Sequence, residues 1–223
     1  MATSRTTGVQ RESLPTAFKV WVCGALVSQL GDAAMYFALG WAASAHGGTA
    51  AGLVLSGIVL PRTALLLVGG VTGDRLGARR VMITGDAIML VVAVGLGFIA
   101  WRSGTPLPLL LAAAVIIGVV DAFYLPSSGS MPRRLVNDVD LARAVALRQS
   151  GTQLVSMIGG PIGGLVVAAA GFAAAAWGDA VTFAVALVVL IAIRARVAVP
   201  PVEPRSSVLR DIRDGLRVVA ATP

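Results

Sequence analysis

The 223-residue chain is 57% hydrophobic and 13% charged, with a mean hydropathy of +0.85 and a formal charge of +7. A soluble domain carries roughly 25% charged residues, so this chain lacks the polar surface to face water and reads as a membrane protein. Its positive residues sit at the ends of apolar runs, without aromatic interleaving or zinc-finger spacing, which argues against nucleic acid, and one cysteine (Cys23) and one histidine (His46) exclude an internal disulfide and a Cys- or His-built metal site.

A helix needs about 20 apolar residues to cross the hydrocarbon core. Residues 1–19 are polar, with Arg5, Arg11 and Lys19, and read as a cytoplasmic tail. The apolar run that follows is too long for a signal peptide and ends in no small-residue cleavage site. Six runs then qualify as spans: 20–45, 50–71, 81–101, 107–125, 147–170 and 172–193. Lys and Arg concentrate on cytoplasmic loops, and the connections test the count. The tail is basic; the turn at His46 carries no Lys or Arg; the next holds Arg75, Arg79 and Arg80. The third holds only Arg102, the fourth holds Arg133, Arg134 and Arg143, and the fifth, at Gly171, holds none. This alternation predicts an even number of spans with both termini cytoplasmic. Trp21, Trp41, Trp101 and Trp177 fall near helix ends, where amphipathic rings prefer the interface.

Residues 194–223 change character. The stretch Val199-Pro200-Pro201-Val202-Glu203-Pro204 cannot continue a helix. Beyond it, Val208, Leu209, Ile212, Leu216 and Val219 form one apolar face at helical spacing, with Arg210, Arg213 and Arg217 off it. The expected organisation is therefore a tail (1–19), a six-helix bundle (20–193) and a cytoplasmic linker with an amphipathic helix (194–223).

Two patterns recur along the bundle. Gly85-Asp86-Ala87-Ile88 matches Gly178-Asp179-Ala180-Val181, and Asp32-Ala33 matches Asp121-Ala122. Each offset is about three spans. Three is odd, so repeated units of this length point in opposite directions across the membrane, as in transporters built from inverted repeats.

Between the second and third runs stands Gly70-Val71-Thr72-Gly73-Asp74-Arg75-Leu76-Gly77-Ala78-Arg79-Arg80. Gly73 and Gly77 permit a tight turn. Asp74 is an acceptor at the membrane edge, suited to an arginine or a helix N-terminus. The stretch resembles the G-x-x-x-D-R-x-G-R/K-R/K signature of the major facilitator superfamily. Gly70, Asp74, Arg75, Gly77 and Arg79 match; Ala78 departs from the pattern, and Arg80 stands in for the missing base. Gly159-Gly160-Pro161-Ile162-Gly163-Gly164 in the fifth run resembles the family exporters' glycine-proline motif, one residue short. Such residues allow close helix approach and bending whatever their further role. The apparent loop Tyr124-Leu125-Pro126-Ser127-Ser128 and the run Leu141-Ala142-Arg143-Ala144 resemble the branch of drug, macrolide and siderophore (enterobactin-type) exporters.

The resemblance implies the N-terminal six-helix half of a secondary active transporter with a 3+3 inverted repeat. It implies proton-coupled efflux of amphipathic small molecules, antiport and multidrug resistance, in the inner membrane of a bacterium. Small-molecule substrate, protons and the lipid bilayer are the expected partners, together with a second six-helix half. In the family, the aspartate matched by Asp74 helps latch the two halves.

Charges within spans are costly and mark functional sites. Asp32 and Arg62 lie near the middle of the first and second runs, placed either to pair or to face a cavity; Asp32 is the first candidate for proton titration. Asp121 and Arg148 make a second possible pair, and Tyr36 lies one turn after Asp32. Asp86 and Asp179, near the starts of their runs, read as capping or interface residues. No G-x-x-x-x-G-K-[ST] loop and no serine–histidine or paired-carboxylate arrangement stands out, so the reading is a transporter that needs no cofactor and is no enzyme. The competing reading is a non-transporting membrane component or an inactive half.

Overall fold

The computed structural model describes residues 13–193. Residues 1–12 of the expected tail (1–19) and the linker with its amphipathic helix (194–223) lie outside them, and the first helix begins inside that tail, at Thr16. The described residues form five helices long and apolar enough to cross a membrane: α1 (Thr16–Ser44), α2 (Gly48–Leu76), α3 (Ala78–Ser103), α4 (Leu107–Leu135) and α5 (Asp138–Ala192). No strand occurs among them.

The 55-residue α5 is far longer than a bilayer is thick. It breaks at Gly171, whose φ of 79° and ψ of 177° are not helical. The contacts on either side show the chain doubling back. Before the break, Gly151, Gly159 and Gly163 meet Leu26, Ala33 and Ala34 of α1, so the two helices run in the same direction. After it, Asp179 and Val189 meet Gly31 and Gly24, the opposite order. The fifth and sixth apolar runs are thus antiparallel segments joined at one glycine. A side chain at that φ is strained by about 1–3 kcal/mol. Gly171→Val is expected to lower the melting temperature in detergent, and Gly178→Ala, a site with open space around it, is expected to leave it unchanged.

The other turns are also short, between one and three residues. Gly77 alone, at φ 88°, separates α2 from α3. The signature stretch is therefore mostly helix: residues 70–76 form the last turns of α2, and Arg79 and Arg80 lie in the first turn of α3. Gly73 does not turn the chain as expected; it is buried against Ser127 of α4. The stretch 124–128 is likewise helix rather than loop, and α4 continues to Leu135 through Pro126 and Pro132. There Ser127 and Ser130 donate to the carbonyls of Phe123 and Ser127, each at 2.9 Å, the kind of side-chain bond that steadies a membrane helix around proline.

Small residues hold the bundle together. Gly69 and Gly118 sit where a Cβ would run into the backbone of Ala122 and Ile58 respectively, joining α2 to α4. Close backbone approach is how helices gain packing in lipid, where no hydrophobic drive exists between them. Two cores result. One lies around Met35, Leu39, Ile58, Leu110, Ile117 and Phe183. The other, at the arginine-rich end, lies around Phe18, Trp21, Met82, Met131, Leu135 and Leu190. Trp21 is therefore a core residue, 1% exposed, whereas Trp41 and Trp101 are each 61% exposed. At the opposite end the His46 ring nitrogen Nε2 lies 2.8 Å from the Thr105 carbonyl, tying two turns together.

Candidate functional site

The charged residues within the helices fall into two environments. In the first, the Tyr36 hydroxyl on α1 donates to Asp121 Oδ2 on α4 at 2.5 Å, and Arg62 Nη1 on α2 approaches the same oxygen at 3.9 Å. Both charged side chains keep some exposure, 33% for Arg62 and 16% for Asp121. Parallel packing of α2 on α4 brings the two together. Arg62 thus reaches Asp121 rather than Asp32, and Asp121 pairs with Arg62 rather than with Arg148.

Asp32 is half-buried on α1, one turn from Tyr36, within electrostatic reach of Asp179, Asp121 and Asp86. No hydrogen bond or ion pair is formed by its carboxyl among the described residues. Asp32 is thus a carboxyl without a cation, next to one that has both a cation and a phenol.

The second environment is enclosed. Asp86 on α3 is fully buried and Asp179 on α5 is 3% exposed, so neither is an interface or capping residue as their positions suggested. Neither Asp86 oxygen has a hydrogen-bond partner among the described residues, although Tyr124 of α4 lies close by. Thr182 Oγ1 lies 3.4 Å from Asp179 Oδ1, with Gly31 of α1 packed against both. Arg148 donates to Ser128 Oγ at 3.0 Å and places its guanidinium 5.8 Å from the centre of the Trp21 ring, bridging α5 to α4 and α1. Thr152 Oγ1 donates to Gln29 Oε1 across α5 and α1 at 3.0 Å. Gln29 and Thr152 went unmarked in the sequence, and Tyr124 and Ser128 were noted only within a resembling stretch, not as partners of buried charges. Uncharged polar residues in an apolar helix carry no signal until a partner is placed opposite.

The signature residues separate by role. Arg79 reaches across the bundle: Nε donates to the Leu190 carbonyl and Nη2 to the Ile191 carbonyl, both at 2.9 Å. Those carbonyls belong to the last turn of α5, where intrahelical partners run out and a cation is favoured by the helix dipole. Charge-assisted hydrogen bonds are worth about 1.5–3 kcal/mol. Arg79→Ala is therefore expected to lower thermal stability and speed amide exchange in the last turn of α5, with exchange near Gly171 unchanged. Asp74 and Arg80 are exposed, and no partner is found for either among the described residues. Gly70 is only loosely packed, 3.9 Å from Pro126 for an added Cβ. In the glycine-proline motif, Gly159 and Gly163 press on α1, Gly164 faces Phe37, Gly160 barely touches it, and Pro161 lies inside the helix. No group of three or more acidic, histidine or cysteine side chains able to hold a metal occurs among the described residues.

Comparison with known proteins gives the context. The Major Facilitator Superfamily model matches residues 21–222. The chain is 26% identical over 208 residues to the multidrug efflux pump Tap of Mycobacterium tuberculosis (strain H37Rv), covering 87% of this chain and 48% of the relative. It is 29% identical over 164 residues to the enterobactin exporter EntS of Escherichia coli O1:K1, covering 71% and 38%. With the multidrug efflux pump LfrA of Mycolicibacterium smegmatis it shares 33% identity over 105 residues, 47% and 20% of the two chains. The chain spans about half the length of the first of these relatives, or less of the others. A family match across nearly the whole apolar region, on a bundle of long apolar helices, makes this chain a member of the major facilitator superfamily.

Proposed function

We propose that the chain forms the six-span N-terminal half of a proton-coupled exporter of amphipathic small molecules, with both termini in the cytoplasm of a bacterial cell and the bundle in its plasma membrane. A second six-helix half completes the cavity, and the two rock about the bound substrate. The observation that carries the reading is Asp32: a half-buried carboxyl with no cation partner, beside the Arg62–Asp121–Tyr36 cluster. Intramembrane ionisable groups mark ion and substrate paths, and a carboxyl with no fixed cation is free to exchange a proton. Asp74, exposed at the arginine-rich end, is suited to latch the second half.

The inverted 3+3 repeat gains support from packing. Asp32-Ala33 and Asp121-Ala122 were matched in sequence, and each alanine is met by a glycine: Ala33 by Gly159, Ala122 by Gly69. Each of these glycines is followed four residues later by another close contact, Gly163 on Ala34 and Gly73 on Ser127. Exchanging the two halves of the bundle therefore exchanges the α2–α4 contact with the α1–α5 contact. The two Gly-Asp-Ala sites, Asp86 and Asp179, are both enclosed.

The test is drug accumulation in cells expressing the natural reading frame, residues 1–223 and whatever follows. A fluorescent amphipathic cation such as ethidium is expected to stay low in energised cells and to rise when a protonophore collapses the gradient. Equal accumulation with and without the protein, under both conditions, returns the non-transporting reading to the front.

A further inference from the structure

A groove of about 380 Å³ lies apart from the charged cluster, where α2 and α3 diverge over α4. Val81, Ile88, Val119, Val120 and Phe123 make most of its wall. The wall itself is almost wholly apolar, and its polar side chains stand at the signature-end rim rather than inside it. Arg80 and Thr84, one turn apart on α3, both line it and both are exposed. Neither side chain has a hydrogen-bond or ion-pair partner among the described residues. Arg79, the neighbouring base, is already committed to the end of α5. Arg80 is the sole charged residue in the lining.

We propose that this groove is a site for an anionic phospholipid. One acyl chain lies along Ile88, Val119 and Phe123, and the phosphate sits on the Arg80 guanidinium and the Thr84 hydroxyl. The surrounding phase argues for a lipid: a groove in a membrane-spanning bundle is filled by acyl chain or by protein. Charge selects the headgroup. Among the described residues, the end that carries Arg80 also carries Arg75, Arg79, Arg133, Arg134 and Arg143, whereas the other end has only Arg102. Basic residues mark the cytoplasmic side, where anionic lipids collect and where basic pockets between helices hold their headgroups. A guanidinium matches a phosphate with paired N–H donors. The site stands whether or not the chain transports anything.

The test uses the full chain in phosphatidylcholine nanodiscs doped with phosphatidylglycerol bearing a photoreactive diazirine in its acyl chain. Labelled residues are then mapped by mass spectrometry. Labelling is expected at α3 and α4 residues of the groove. It is expected to fall roughly tenfold or more in Arg80→Gln, as loss of a charge-assisted contact implies, and as far in Thr84→Trp, which plugs the groove. Arg102→Gln, at the other end, is expected to keep it. Photoreactive phosphatidylcholine with the same chain is expected to label the groove at least tenfold less. Equal labelling by both lipids, or unchanged labelling in Arg80→Gln, means ordinary solvation by bulk lipid and overturns the proposal. No labelling of the groove by either lipid, with labelling elsewhere intact, means that protein covers it and overturns the proposal equally.

Discussion

Asp32→Asn is expected to cut proton-gradient-driven efflux by roughly two orders of magnitude, the scale of losing a proton-transfer group, while leaving downhill exchange of substrate across the membrane. The argument rests on what surrounds the carboxyl. Asp121 is held by the Tyr36 hydroxyl at 2.5 Å and by Arg62 at 3.9 Å, so its charge is already balanced. Asp32 has no such partners among the described residues. Asparagine keeps the side chain's size and polarity but cannot ionise, so it can neither release nor take up the coupled proton. Everted vesicles measure both activities: ΔpH-driven uptake, and equilibrium exchange of labelled substrate with no gradient. Loss of both together assigns Asp32 to substrate binding. Retention of gradient-driven uptake removes it from coupling and moves the proposal to Asp121.

Gly163→Val is expected to prevent the bundle from packing. An added Cβ at Gly163 lies 2.6 Å from the Ala34 carbonyl oxygen and 2.8 Å from the Ala34 Cα. These are backbone atoms of α1 and have no rotamer to escape into. Overpacking a tight interior costs about 1–3 kcal/mol or more, and here the two helices must separate along their whole contact. The measurable result is a sharp fall in monodisperse protein extracted in mild detergent, with a lower melting temperature in what remains. Gly95→Ala, with nothing within 4 Å of the added carbon, serves as the control and is expected to match the parent. Normal yield and melting temperature in Gly163→Val mean that α1 and α5 are not packed this closely in the membrane.

Much of the bundle was legible in the hydropathy. Runs of about 20 apolar residues located every long helix, because the bilayer imposes that length. Helix ends were harder to place. α4 runs ten residues past its apolar stretch and α5 begins nine before its own, since helices continue beyond the hydrocarbon when their polar turns suit water. The start of α5 carries Asp138 and Asp140 in its first turn, which favour a helix N-terminus but lower hydropathy. Proline misled at 126, where a membrane helix retains what a soluble one loses. The break at Gly171 was visible as a gap between two runs, and only the glycine's positive φ shows how little chain is needed to turn.

The candidate site was legible in its members but not in its pairs. Charges in apolar runs announce themselves, so Asp32, Tyr36, Arg62, Asp121 and Arg148 were all marked. Which faces which depends on α2 lying along α4 and α5 along α1. No periodicity reports that, because these helices are apolar nearly all round. The same lack of a polar face hid the burial of Asp86 and Asp179. Arg79 illustrates the limit most clearly: its place in the signature was plain, and its partners lie more than a hundred residues away, at Leu190 and Ile191.

The central claim is exchange of protons for substrate through a bundle in which Asp32 carries the proton. The most direct measurement is proton flux in proteoliposomes that enclose a pH-sensitive dye and contain the protein expressed from its natural reading frame. Adding an amphipathic cation such as ethidium, with no other gradient imposed, is expected to drive a proton movement opposite to the substrate in the parent protein and none in Asp32→Asn. Substrate movement with no proton signal in the parent, or an undiminished signal in Asp32→Asn, contradicts it.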